Sequence, residues 1–475
     1  MTRRAALLAR LPSSLLPRPP QGVARRAAAA ALAGTIALAP AAAPAQQRPL
    51  PVIRDAEIEQ LLRDYAAPIF KAAGIGSRGA EIVILKDPDF NAFVASGSRI
   101  FINTGTLLQA KTPNEVIGVL AHETGHLAGG HLQNLRDEMA HAATIGMLGA
   151  LLGAGAMVAG AGAGSTEGAQ MGAAAAMIAP SIVERSVLSY RRAQEIAADR
   201  AALSYLDATG QSARGMIDTF RTFADQQLFA KQYADPYAQS HPMASDRIAQ
   251  LETAAGKSRY WNASDPPALL ARHAMMRAKL SGFIESPGMV ARRYPRSDTS
   301  LAAEYARAIL AYRTGSPAKA VKQIDALIAR APSDPYFHEL KGQALLESGR
   351  AREAIAPLRQ AASLAPKPGL IRIMLGHALL QTGDPALLDQ AVGSLQAGLR
   401  DEPLASEGYR HLATALAKEG RIAEAELATA RGLLIEGSVS SAQAYAKRAQ
   451  AKLKRGTPAW LQADDILAYK NPKSR

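Results

Sequence analysis

Apolar residues recur at helical spacing between Asp55 and Ala73, and the pattern then shortens. Three β-prone runs follow, Glu81–Lys86, Asn91–Ala95 and Arg99–Asn103, the last reading Arg-Ile-Phe-Ile-Asn. Thr112-Pro113-Asn114-Glu115 is a helix start: Thr as N-cap, Pro at the first helical position, Glu three residues after the cap. The helix it opens is predicted to run past Gly125. A second helix is predicted over Val183–Ala208, closed by Gly210.

Between those two helices, Ala142–Pro180 is almost entirely Gly, Ala, Met, Leu and Val. Ile145–Gly164 is an uncharged run of transmembrane length, yet it is rich in glycine and poor in Leu, Ile and Phe. It reads as a lid or a membrane-surface contact, with a true membrane anchor as the alternative.

The last third repeats. Gly315, Gly349, Gly383 and Gly420 are spaced 34, 34 and 37 residues apart, and Ala320, Ala354, Ala391 and Ala425 follow at 34, 37 and 34. Pro332, Pro366 and Pro403 close successive units. This is the tetratricopeptide period, with a three-residue insertion near Pro385–Asp389. Four repeats fit Ser300–Gly437, capped by a helix at Val439–Arg455, and such an array offers a concave groove to a peptide or protein.

The formal charge of +14 suggests nucleic-acid binding until it is located. Arg3, Arg4, Arg10, Arg18, Arg25 and Arg26 supply six of those charges with no acid before Gln46, which leaves +8 spread over the remainder. No basic block with interleaved aromatics occurs there, so no nucleic-acid partner is expected. The basic lead, the uncharged Ala27–Ala39 stretch and Ala43-Pro44-Ala45 order themselves as an export signal over 1–45. Absence of cysteine excludes disulfides, thiolate metal sites and a cysteine nucleophile. An export signal with no cysteine points to the periplasm.

The chemistry lies in His122-Glu123-Thr124-Gly125-His126. Histidines at i and i+4 share one helix face and can share one zinc ion, while Glu123, turned about 100° away, is placed to act on a water. Zinc lowers the pKa of such a water toward ~7, and the glutamate takes its proton during attack on a peptide carbonyl. A hydrolytic zinc needs a third protein ligand. Six residues after His126 stands Leu132, and His131 at +5 lies on another face, so it reads as an outer-sphere or structural residue. Glu195 and Asp199, at i and i+4 of the second helix, fit a ligand and the carboxylate that orients a zinc histidine.

His122-Glu123-x-x-His126 followed by Glu195-x-x-x-Asp199 resembles the gluzincin peptidases that include the HtpX and CaaX prenyl proteases. Asn91-Ala92-Phe93 and Ile100-Phe101-Ile102-Asn103-Thr104-Gly105 match that family's strand ahead of the helix. An export signal before and repeats behind are similar to its periplasmic, beta-barrel-assembly branch. The resemblance implies unfolded or misassembled outer-membrane proteins as substrates, and an outer-membrane assembly machine docked on the repeats. Beside it, Ser240-His241-Pro242 and Arg247 gain meaning. His241 can approach zinc from a loop as a removable fourth ligand; its alternative is to cap the helix after Pro242. Arg247 can stabilise the transition state over the oxyanion, or form a surface ion pair. The strand Arg99–Asn103 is a candidate edge for an extended substrate. His141, His273, His338, His377 and His411 lack partners at ligand spacing.

The expectation is an α+β chain: a signal peptide over 1–45 and a mostly helical zinc metallopeptidase domain with a small sheet over 46–260. A helical connector over 261–299, an α-solenoid of tetratricopeptide repeats over 300–455 and a tail over 456–475 complete it. One Zn2+ per chain, held by His122, His126 and Glu195, would serve an endopeptidase with Glu123 as base, membrane contact being peripheral. A repeat-borne chaperone or adaptor silenced by His241 is the rival.

Overall fold

The computed structural model describes residues 51–470 apart from 77–78, 96, 163–165, 230–240 and 242–244, without the side chains at 145–146, 149–186, 223, 225–229 and 245. The export signal over 1–45, Ser240 and Pro242 therefore lie outside the described residues.

Helix α1 (Ala56–Ala72) begins where the Asp55 carboxylate accepts from the Ile58 amide, and it buries Ile58, Leu61, Leu62, Tyr65 and Ile69. Strands β1 (Val52–Ile53), β2 (Glu81–Leu85), β3 (Ala92–Ala95) and β4 (Arg99–Asn103) form one sheet in the order β1-β2-β4-β3. β4 is parallel to β2 and antiparallel to β3. Arg99–Asn103 is therefore an interior strand, and the expected edge belongs to β3. The reason is visible in β4 itself: Ile100, Phe101 and Ile102 are all buried, as they must be in a strand covered on both faces.

After α2 (Thr104–Gln109), the central helix α3 (Pro113–Ala128) starts as expected, Thr112 capping the Glu115 amide. The Glu115 carboxylate reaches back to the Lys111 amide at 2.9 Å, a capping box displaced by one residue. Helices α4 (His131–Gly162) and α5 (Thr166–Ala208) pack along each other. α5 starts at Thr166 instead of the expected Val183, because an alanine-rich run lacks periodicity yet is the best helix-forming composition. Whether 142–180 acts as a lid or touches a membrane lies outside the described side chains; among the described residues no helix is long and apolar enough to cross a membrane. Helices α6 (Arg214–Phe229) and α7 (Ser245–Ala255) complete the N-terminal layer, and α8 (Pro267–Ile284) and α9 (Pro287–Arg293) lead to the repeats.

The array consists of four helix pairs: α10 (Leu301–Arg313) with α11 (Pro317–Arg330), α12 (Pro335–Glu347) with α13 (Ala351–Leu364), α14 (Gly369–Gln381) with α15 (Leu388–Asp401), and α16 (Ser406–Lys418) with α17 (Ile422–Ile435). Gly315, Gly349, Gly383 and Gly420 sit in the turns with φ between 70° and 80°, which side chains rarely tolerate. The three-residue insertion forms a 3-10 turn at Pro385–Leu387. α18 (Val439–Lys452) caps the array, and α19 (Pro458–Ala468) packs on it where a tail is expected; Thr457 caps its Trp460 amide.

The array is also joined to the N-terminal layer by buried charge. Lys279 on α8 places Nζ 2.8 Å from Asp55, 3.2 Å from Glu57 and 3.6 Å from Glu339 of α12. The Tyr305 hydroxyl of α10 donates to Glu57 at 2.9 Å, and Arg54 pairs with Glu402. Part of the repeat surface is thus taken by the chain's own α1 end. Burial pushes both Glu57 and Glu339 up to about 7, against the attraction of Lys279.

A carboxyl raised on folding stabilises the fold while protonated, and that contribution is lost as pH rises from about 4.5 to about 7. Glu339→Gln carries no such charge. Its thermal stability should match wild type at pH 5 and exceed it at pH 8, by about 1–3 kcal/mol. Calorimetry at both pH values checks this, and parallel pH profiles for the two proteins would contradict it.

Candidate metal centre

The site forms where α3 crosses α5. A Cβ on Gly125 would lie 2.7 Å from the Ala198 carbonyl oxygen and 2.9 Å from Ala198 Cα. Only glycine lets the two backbones approach this closely. The crossing sets the His122/His126 face of α3 against the Glu195/Asp199 face of α5.

Four donor residues converge: ligand atoms of His122, His126, Glu195 and His241 all lie within 4.8 Å of one another. His122 Nε2 is 3.1 Å from His126 Nε2, 3.4 Å from Glu195 Oε2 and 3.3 Å from His241 Nδ1. Glu195 Oε1 is 3.2 Å from His126 Nε2 and 3.1 Å from His241 Nδ1. A tetrahedron with metal–ligand bonds of about 2.0–2.1 Å has edges of about 3.3 Å. Several of these separations match such an edge, and imidazole and carboxylate donors suit zinc chemically. Ring lone pairs and a carboxylate held this close together call for a cation between them. The residues present therefore fit the ion.

Around this cluster the supports are specific. Asp199 Oδ1 lies 2.9 Å from His122 Nδ1, the nitrogen facing away from the cluster. Phe220 of α6 packs edge-on against the His122 ring at 5.5 Å. Arg247 of α7 is buried and grips both acids, Asp199 through Nε and, at 2.8 Å, Nη2, and Glu195 through Nη1 at 3.0 Å. Its three nitrogens face these buried carboxylates, so it is not a surface ion pair. His241 is buried, with Nδ1 at the fourth vertex and Nε2 3.4 Å from the Glu123 carboxylate. Glu123 is fully buried beside the cluster, on the helix that packs against β3.

Charge follows from these neighbours. Burial pushes Glu123 up and His126 down to about 3. Burial also opposes charge on Glu195 and Asp199, but the histidines around Glu195, and Arg247 and His122 beside Asp199, hold both acids below the usual carboxylate range. On His122 the cost of burial is outweighed by Asp199 and Glu195, which raise it to about 9.

The sequence marks His131 only as an outer-sphere or structural residue, without a named partner. His131 has its Nδ1 2.9 Å from His126 Nδ1, and Gly129 makes room for its ring. The Gly129-Gly130 pair just after the motif was the available signal. Outside the site, His273 is a buried structural residue, 3.0 Å from the Tyr65 hydroxyl and 3.0 Å from the Ala110 carbonyl. His377 and His411 stack on each other at 3.8 Å across adjacent repeats.

Comparison with known proteins agrees with this architecture. Residues 53–255 match the model of peptidase family M48, and 305–369 and 373–441 match a tetratricopeptide repeat model. The beta-barrel assembly-enhancing protease of Escherichia coli (strain K12) is 22% identical over 410 residues, covering 86% of this chain and 82% of that protein. Protease HtpX of Shewanella denitrificans is 37% identical over 83 residues, 17% of this chain and 28% of that protein. Among solved structures, MamA matches 35% of this chain and 93% of its own, at 20% identity and a TM-score of 0.30. Residues 53–255 resemble peptidase family M48, and with the repeats behind them the chain is a metallopeptidase similar in build to the beta-barrel assembly-enhancing proteases.

Proposed function

We propose that the chain is an exported zinc endopeptidase of the periplasm that acts in the quality control and assembly of outer-membrane proteins. The observation that carries the chemical part is the convergence of donor atoms from His122, His126, Glu195 and His241, all within 4.8 Å of one another. The biological part rests on the similarity to beta-barrel assembly-enhancing proteases across most of the chain.

In this reading His122, His126 and Glu195 hold one Zn2+, which supplies Lewis acidity to a water and to the scissile carbonyl. Glu123 takes the proton from the attacking water and delivers it to the leaving amine, and its dry surroundings favour the protonated intermediate state of the carboxyl. Asp199 keeps His122 in the tautomer that offers Nε2. Arg247 fastens Asp199 and Glu195, a holding role alongside the oxyanion contact expected from sequence. β3, the outer strand beside α3, is the edge to which an extended client strand can add. The repeats beyond the α1 contact remain for the client or for an assembly machine.

His241 sits where a reactant must enter, which favours an enzyme held in check by its own histidine. Casein digestion by the mature protein should be slow for wild type and at least ~10-fold faster for His241→Ala, an open fourth position being the requirement of a catalytic zinc. Glu195→Gln should lower zinc retention by ~10-fold or more. No cleavage by wild type or His241→Ala, with one zinc per chain in each, would favour a chaperone or adaptor instead.

A further inference from the structure

We infer that His131 is a positioning residue of the metal site, whose Nδ1 accepts the proton carried by His126 Nδ1 and so fixes the second zinc histidine. This rests on the zinc reading above. His126 turns Nε2 into the donor cluster, 3.1 Å from His122 Nε2 and 3.2 Å from Glu195 Oε1. A neutral imidazole that offers a lone pair at Nε2 carries its hydrogen at Nδ1, and that N–H needs an acceptor to set the ring's angle. For His122 the acceptor is Asp199. For His126 it is His131, whose Nδ1 stands 2.9 Å away with the two rings nearly perpendicular at 83°. His131 must then carry its own hydrogen at Nε2. An imidazole acceptor brings no charge, so the two zinc histidines are held by unlike partners, one anionic and one neutral.

The local backbone is shaped for this contact. α3 stops at Gly129-Gly130, where Gly130 takes φ +62° and the chain turns into α4. His131, the first residue of α4, thereby folds back toward the end of α3. A Cβ on Gly129 would lie 2.3 Å from His131 Nε2 and 2.7 Å from its Cδ2, so the ring occupies the space a side chain would take. The Gln194 amide donates to the His131 carbonyl at 3.1 Å, tying this residue to the segment of α5 that presents Glu195. His131 thus links the second histidine to the helix of the third ligand.

The test uses the mature full-length protein and zinc competition against a chromophoric chelator, with the visible spectrum of the Co2+-loaded protein as second readout. His131→Ala should weaken zinc by about 10- to 100-fold and alter the Co2+ bands. His131→Asn, whose amide oxygen can accept the same hydrogen, should recover most of that loss. Gly129→Ala, which leaves His131 in the sequence but displaces its ring, should repeat the His131→Ala result. Circular dichroism of the metal-free variants should match wild type. Wild-type zinc affinity in both His131→Ala and Gly129→Ala would overturn the inference, as would equal losses in His131→Ala and His131→Asn, which would indicate packing alone. A wild-type protein that binds no zinc would overturn the zinc reading itself, and this inference with it.

Discussion

Glu123→Gln should bind zinc as wild type does and cleave peptide bonds about 10²- to 10⁴-fold more slowly, the range attributable to a positioned proton-transfer group. The size of the expected loss follows from where Glu123 sits. Its side chain is fully buried beside the donor cluster, and both carboxylate oxygens are buried without a hydrogen-bond partner among the described residues. A structural carboxylate in such a place would be costly, because a buried charge needs compensation. A carboxylate kept for proton transfer is held ready by the same environment, since burial moves its pKa toward the working range. Glutamine has the same shape and cannot take a proton. Metal analysis alongside a casein assay, made in the His241→Ala background so that the rate is measurable, separates the two effects. Undiminished cleavage would remove Glu123 from the mechanism; lost zinc would make it a ligand or a folding residue.

Arg247→Ala carries the second large effect, on stability. Three guanidinium nitrogens bind two buried acids from one side, and the ring of Phe220 lies 5.2 Å from the guanidinium carbon. Removing one partner of a buried ion pair costs about 3–5 kcal/mol, because the other charges stay behind uncompensated. Here two like charges on adjacent turns of α5 would remain, Glu195 and Asp199. Calorimetry of the protein in chelator should show a fall of about 10 °C in Tm. Lysine would not restore it, since one ammonium cannot match the planar fork that spans both carboxylates. A fall of less than about 2 °C would mean that Arg247 contributes little to holding the acids.

Local signals in the sequence led directly to much of this structure. Thr112-Pro113 starts α3 where its cap says, and the 34-residue spacing of Gly315, Gly349 and Gly383 marks real turns. Two histidines a turn apart and two acids a turn apart were enough to expect that α3 and α5 meet, and the structure sets those two faces together. What escaped was set by non-local packing. The insertion of β4 between β2 and β3 depends on a parallel pairing that no turn encodes, although three consecutive buried apolar residues in β4 hinted at it. Arg247 stood out in the sequence, but its grip on Asp199 depends on α7 folding over α5. The Lys279 cluster joins residues from three distant elements, α1 with its cap, α8 and α12, and none carries a sequence mark of burial. The Thr166 start of α5 hid in a run without periodicity. α19 was expected as a tail although a local signal was present: Thr457-Pro458 repeats the start of Thr112-Pro113.

One zinc ion held by His122, His126 and Glu195, with His241 at the fourth vertex, is the claim on which the rest depends. X-ray absorption at the zinc edge of wild type and His241→Ala tests it most directly. Wild type should contain one zinc per chain with about three imidazoles and one carboxylate, and His241→Ala one zinc with one imidazole fewer and an added light oxygen scatterer. No bound zinc in wild type, or an imidazole shell unchanged by His241→Ala, would contradict it.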